Sequence, residues 1–372
     1  MTLTATTNIL ITGGAGFIGS RLIRALLAAN PECRIWILDN LHPQVHGQNA
    51  VPPCFDDQVT FLRGDMGDAR AVYDAVARSL PRLVFHLAAE TGTGQSYDEP
   101  TRYCLANVIG TTHLIEALRK TGSTERVVLA SSRAVYGEGA YIDATGRHCA
   151  GLPRDAAAMS AGDFEVPLPA GCVGPGHPAP SNPALPPAPA SVYASTKLMQ
   201  EYLLTQAGEG AGWRATILRF QNVYGPGQSL RNPYTGVLSI FAQQLLEGKD
   251  LAIFEDGQIA RDFVYVDDVV EALVRAGERQ LPHGTTIDIG MGEAVTIEEA
   301  ARTLMQALGR NENSYAVTGA FRVGDIRHAC ADISVAHELL GWAPQVSVDE
   351  GLGALACWAR REFGVTQSER GH

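Results

Sequence analysis

The segment Asn8–Thr12 (NILIT) runs directly into TGGAGFIGSRLI, and this junction constrains the fold more than any other stretch of the chain. A short apolar strand followed at once by glycines, then by apolar residues at helical spacing, is a strand–turn–helix unit. Gly13 permits the tight turn, Gly16 lets the backbone approach a pyrophosphate at the helix N-terminus, and Gly19 lets the helix pack closely on the sheet. Phe17 and Ile18 then fall in the first helical turn, against the same ligand. Glycines alone would be weak support, but between a buried strand and an amphipathic helix they predict a dinucleotide site.

Further apolar runs follow at RIWILD (34–39), VTFLRGD (59–65), LVFHLAA (83–89), RVVLASS (126–132) and ATILRF (215–220). They are continuous rather than alternating, as expected of parallel strands covered on both faces. Helical patterns at 19–30 and 70–80 lie between them, so residues 1–224 read as an α/β domain, a doubly wound parallel sheet of Rossmann-like type. The second strand ends at Asp39, next to Asn40, where a carboxylate can accept hydrogen bonds from ribose hydroxyls and would repel a 2′-phosphate. The expected cofactor is therefore NAD and not NADP. Asp65, followed by Met66, closes the third strand; it reads equally as an adenine-side contact or as a helix N-cap.

The pattern fails from about 138 to 190, where nine of the twenty prolines fall between Pro167 and Pro189. Such a stretch cannot continue helices or interior strands, and is expected to be a surface insertion, an ordered flap or partly mobile. Beyond 225, segments 236–248, 251–254, 296–309 and 349–363 outline a smaller C-terminal α/β lobe (225–366), mainly for substrate. The polar tail 367–372 is expected to fray.

A net charge of −11, without a basic run, argues against nucleic acid as a partner. No stretch is long and apolar enough to span a membrane, and the N-terminus lacks the basic start of a secretory signal. Seven scattered cysteines do not suggest a disulfide framework, so a cytoplasmic protein is expected. His148, Cys149, Cys172 and His177 match no zinc spacing, and no metal is expected. His86, inside an apolar strand, reads as a core histidine.

Six motifs recur in order: GGAGFIG (13–19), HLAAE (86–90), NVIGT (107–111), SSRAVYG (131–137), YASTK (193–197) and RDFVYVDD (261–268). Together they resemble the extended short-chain dehydrogenase/reductase family of NAD-dependent nucleotide-sugar epimerases and dehydratases. In YASTK, Tyr193 and Lys197 share one helical face. A phenol titrates near 10, so a nearby ammonium and the positive nicotinamide are expected to favour its phenolate as a base. The resemblance implies Ser132, four residues before Tyr136, as the third catalytic group; Ser131 is the competing residue, but strand parity points it the other way. It also implies that Leu87, Ala88, Ala89, Thr91 and Asn107 contact the cofactor together with Tyr193 and Lys197.

Dehydratases of this family carry Asp-Glu after the catalytic Thr; Arg133 and Ala134 stand there in this chain, which removes the acid and base of water elimination. The resemblance then implies inversion at carbon 4 through a 4-keto sugar. Substrate contacts implied are Thr93, Ser132, Arg133, Asn222, Asn232, Val237, Arg261, Arg322 and Asp325, the arginines suiting a diphosphate. Segments 88–96, 131–141, 225–236 and 253–272 are most similar to members that convert dTDP-L-rhamnose to dTDP-6-deoxy-L-talose. A UDP-glucose or UDP-glucuronate epimerase, a one-way dehydrogenase or reductase, and a non-enzymatic NAD-binding scaffold remain alternatives. The insertion is expected to cover the sugar pocket, and a homodimer through helices at 98–120 and 193–207 is implied by the resemblance.

Overall fold

The computed structural model describes residues 7–364 except 49, 231, 233–235 and 312. The tail 367–372 lies outside the described residues. Seven strands form one sheet: β1 (Asn8–Thr12), β2 (Arg34–Asp39), β3 (Val59–Arg63), β4 (Leu83–His86), β5 (Arg126–Ser132), β6 (Arg214–Phe220) and β7 (Thr285–Ile289). Their order is 3-2-1-4-5-6-7 and every neighbouring pair is parallel. The order reverses between β1 and β4, where Thr12 lies opposite His86, and the carboxyl ends of strands diverge there into a crevice.

The principal helices are α1 (Phe17–Ala29), α2 (Ala69–Ser79), α3 (Gly110–Thr121), α4 (Val192–Gly208), α5 (Val237–Leu246), α6 (Val266–Glu278), α7 (Ile297–Ala307) and α8 (Val348–Glu362). Strand parity sorts the sheet's side chains into two cores. Ile9, Ile11 and Phe85 pack against Leu22 and Leu26 of α1 and Val269 and Leu273 of α6. Leu10, Val84 and Leu129 face Val72 and Val76 of α2, Leu114 and Leu118 of α3, and Leu204 of α4. A third core joins α5, α7 and α8 through Phe241, Leu304 and Leu355. Among the described residues no helix is long and apolar enough to cross a membrane.

Three features differ from the sequence expectation. Strand β7 is absent from the sequence pattern, because Thr and Asp dilute TTIDI; its Asp288 is buried and accepts a hydrogen bond from Tyr136 Oη at 2.8 Å. The chain beyond 225 is thus shared: α6 and β7 return to the first layer, while α5, α7 and α8 build the second lobe. Strands β3 and β4 stop at Arg63 and His86, so that 64–66 and 87–92 are free to turn along the crevice.

The insertion is ordered. Ala140–Ile142 pairs with both His148–Ala150 and His177–Ala179, and the helix Ala156–Ser160 brings Met159 into a buried setting with Tyr141, Phe164 and Val166 nearby in sequence. Pro178 is accommodated because its strand is an edge. No residue of 138–190 lines the main cleft, so the expected cover over the sugar pocket is not what this segment provides.

Candidate active site

A cleft of about 1230 Å³ opens along the carboxyl edge of the sheet, enough for a dinucleotide and a second ligand side by side. One half is walled by Gly13, Gly16, Phe17, Ile18, Gly19, Asp39, Asn40, Asp65, Met66, Leu87, Ala88, Ala89 and Thr91. Backbone packing explains the glycines. Gly13 has φ +71°, and a Cβ there would stand 2.7 Å from Ala88 N; at Gly19 it would stand 2.6 Å from Gly13 O. At Gly16 the nearest obstacle is Gly13 O at 3.3 Å. These spaces, with the α1 N-terminus facing the cleft, fit a pyrophosphate.

Asp39 is buried at the end of β2, where Oδ2 accepts from Ala15 N at 3.0 Å and Oδ1 from Leu41 N at 2.9 Å. Its carboxylate is thereby fixed on the wall where an adenosine ribose would lie. Asp65 accepts from Gly67 N (2.7 Å) and Asn40 Nδ2 (2.7 Å). It is not a helix cap: Asp68 caps α2, accepting from Arg70 N at 2.9 Å. Asn107 stands behind the wall, bonded to both backbone groups of Glu90 (2.7 and 3.0 Å) and to Thr196 Oγ1 (2.9 Å). It braces the loop after β4 and does not line the cleft.

Ser132, Tyr193 and Lys197 meet in the cleft. Ser132 ends β5 and caps the single turn Arg133–Tyr136, accepting from Ala134 N at 3.2 Å. Its side chain lies in the cleft beside the Tyr193 phenol. Ser131 turns away, donating to Glu201 Oε1 at 2.5 Å. Burial pushes the Tyr193 phenol above its ordinary value, while the neighbouring Ser132 hydroxyl and the Arg133 cation pull it down. Burial also brings the Lys197 ammonium down to about 7, opposed by Glu201 one helical turn on. Lys197 Nζ donates to Gln200 Oε1 at 2.7 Å, and the Arg133 guanidinium is a further cation that favours the phenolate.

Arg133 is 9% exposed and donates to Gly137 O at 2.7 Å; it lies just behind the cleft surface. Thr93, Asn222, Asn232, Val237, Arg261, Arg322 and Asp325 line the second half. Arg261 Nη2 donates to Asp325 Oδ1 at 2.7 Å, and the Arg322 guanidinium stacks 5.0 Å from the Phe254 ring centre. Asn232 Oδ1 accepts from Gln44 Nε2 at 3.1 Å, tying the substrate side to the loop after β2.

Sequence reasoning missed a buried network beneath the catalytic groups. Arg219 Nε and Nη2 grip the Glu201 carboxylate (3.0 and 2.7 Å), and its guanidinium lies 4.7 Å from the Tyr136 ring centre. Burial raises the Asp288 carboxyl to about 7. The only sequence signal was a charged residue at an interior position of each strand, Arg219 and Asp288. His86 is a satisfied core residue, bonded to Thr12 Oγ1 (2.7 Å) and Thr111 Oγ1 (2.9 Å) and held down to about 3 by burial. Among the described residues no group of three or more His, Cys, Asp or Glu could hold a metal ion.

Residues 9–152 and 170–290 match the NAD dependent epimerase/dehydratase family. The chain is 41% identical to a dTDP-L-rhamnose 4-epimerase of Burkholderia thailandensis, covering 96% of each. A UDP-glucose 4-epimerase of Thermotoga maritima, solved with UDP-glucose, superposes with a TM-score of 0.77 at 30% identity, over 96% of this chain and 100% of that one. The Thermus thermophilus UDP-glucose 4-epimerase, solved with NAD, gives 0.75 at 29% identity, over 95% and 98%.

Proposed function

Because the chain belongs to the NAD-dependent epimerase/dehydratase family, we propose that it inverts carbon 4 of a nucleotide-linked deoxysugar, converting dTDP-L-rhamnose to dTDP-6-deoxy-L-talose. It is an isomerase that uses NAD. The observation that carries the reading is the meeting of Ser132, Tyr193 and Lys197 inside the cleft, next to Arg133 and Ala134 where elimination would need two carboxyls. The 41% identity to a dTDP-L-rhamnose 4-epimerase supports the sugar.

Gly13, Gly16 and Gly19 would cradle the pyrophosphate of NAD and Asp39 its adenosine ribose. Bound there, NAD supplies the oxidation and re-reduction of carbon 4. Tyr193 as phenolate accepts the proton of the 4-hydroxyl and returns it to the same oxygen at the end of the cycle. Ser132 hydrogen-bonds that oxygen throughout and keeps it beside the phenol. Arg133 favours the phenolate, offsetting its burial. Arg261 and Arg322 hold the diphosphate and Asp325 the nucleoside ribose, which leaves the sugar free to present its other face. Exposed Leu105, Ile109, Met199 and Tyr202 support pairing of two copies through the region of α3 and α4.

The test is incubation of the purified protein with dTDP-L-rhamnose, UDP-glucose and UDP-glucuronate separately, without added cofactor, followed by proton NMR. A new 4-epimer from dTDP-L-rhamnose is expected. Conversion of a UDP sugar alone would replace the substrate, and net NADH formation in step with turnover would rule out epimerisation.

A further inference from the structure

The insertion lines no part of the cleft, yet one of its side chains reaches the cleft's supporting wall. The side chain of Arg154 is 2% exposed, and its three nitrogens go to three separate segments. Nε donates to Glu138 Oε1 (3.1 Å), just after the catalytic turn; Nη1 donates to both oxygens of Glu255 (2.9 Å each); Nη2 donates to the backbone carbonyl of Asp325 (2.9 Å). Glu138 uses its second oxygen to accept from Arg327 N at 2.7 Å. The stretch 325–327 is thus held from behind at both ends. On its front, Asp325 Oδ1 takes Arg261 Nη2 at 2.7 Å, and the same guanidinium donates to Arg327 O at 3.3 Å.

A residue serving stability alone would need only to pair the buried carboxylates of Glu138 and Glu255. Arg154 also fixes the carbonyl of the residue whose side chain faces the cleft and orients a second cleft residue. We propose that Arg154 is a positioning residue for nucleotide recognition: it sets the Asp325–Arg261 pair where the ribose and diphosphate of the substrate are received. The inference rests on the proposed roles of Asp325 and Arg261 as nucleotide contacts. On this reading the insertion carries a strut for the nucleotide wall, and Glu138 ties the same strut to the end of the catalytic turn.

The experiment compares full-length, NAD-loaded wild type with Arg154→Lys and Arg154→Met. Lysine keeps a charge between Glu138 and Glu255 but has no planar fork to span three segments. Turnover is measured with the nucleotide sugar that wild type converts, and binding of dTDP and UDP by calorimetry, with NAD content and melting temperature as controls. Loss of a charge-assisted hydrogen bond is expected to raise KM and the nucleotide Kd about 10- to 50-fold in Arg154→Met, with Arg154→Lys intermediate. NAD content should be unchanged and kcat should stay within about threefold of wild type. If Arg154→Met does not fold, Arg154→Lys decides. An unchanged KM and nucleotide Kd in a folded variant, or a fall in kcat alone, overturns the proposal. If wild type binds neither nucleotide, the assignment of Asp325 and Arg261 fails first and the proposal falls with it.

Discussion

Ser131 and Ser132 are adjacent in β5 and serve opposite sides of the strand, Ser131 donating to the Glu201 carboxylate 2.5 Å away and Ser132 lying in the cleft beside the Tyr193 phenol. The two hydroxyls therefore separate stability from chemistry. Ser132→Ala is expected to lower kcat by about 100- to 1000-fold with NAD content and melting temperature preserved. Ser131→Ala leaves a buried carboxylate short of one donor and should cost about 1–3 kcal/mol in stability, with most activity retained below the melting point. Equal loss of kcat in both variants would contradict the assignment of Ser132.

Arg133 draws the Tyr193 phenol down against the effect of burial. Removing that cation raises the pH at which the phenolate forms. In Arg133→Met the acid limb of the kcat profile should therefore move to higher pH, and activity lost at pH 7 should be partly regained near pH 9. A limb that stays in place would assign Arg133 to packing alone.

Burial holds the Lys197 ammonium at about 7, against 10.5 for an unperturbed lysine. Between these values the unfolded chain binds more protons than the native one, so this residue's contribution to stability improves as pH rises. Its penalty is full below pH 7 and fades towards pH 10.5. Lys197→Met should accordingly gain melting temperature relative to wild type most at pH 6.5, with the gap closing by pH 10. Calorimetric scans across that range would expose a constant gap, which would show that the ammonium is not destabilised by its surroundings.

A Cβ on Gly19 would sit 2.6 Å from Gly13 O and from Gly14 Cα, both backbone atoms that cannot step aside cheaply. Gly19→Ala should push α1 from the glycine turn, cost about 1–3 kcal/mol and abolish cofactor retention through purification. The ratio of absorbance at 260 and 280 nm reads this directly. A variant with full NAD content would show that the turn tolerates the shift.

What was legible in the sequence was what is encoded locally. The β1–α1 junction is specified by glycines within seven residues, and Tyr193 and Lys197 by spacing on one helix. Strand β7 escaped because its apolar run is interrupted by Thr286 and Asp288, whose burial becomes tolerable only when Tyr136, far away in sequence, supplies a partner. The insertion escaped for a similar reason. Its strands are three residues long and gain their stability from pairing across proline-rich turns, and Arg154 finds Glu255 and Asp325 more than a hundred residues away. No window of sequence contains those interactions. The part played by Arg133 beside Tyr193 was equally invisible, since it depends on where side chains turn after burial.

The return of β7 to the edge of the sheet beside β6 has a consequence for how the protein is made. When β6 leaves the ribosome its outer edge has no partner, and none arrives until the chain has run on by about 70 residues through α5 and α6, which at 5–20 residues per second takes about 4–14 s. For that interval the nascent chain carries an open strand edge and an α1 face not yet covered by α6. A rare-codon pause placed between 221 and 284 would lengthen the exposure, and the yield of soluble protein should depend on translation speed across this stretch more than across any equal length of the first two hundred residues.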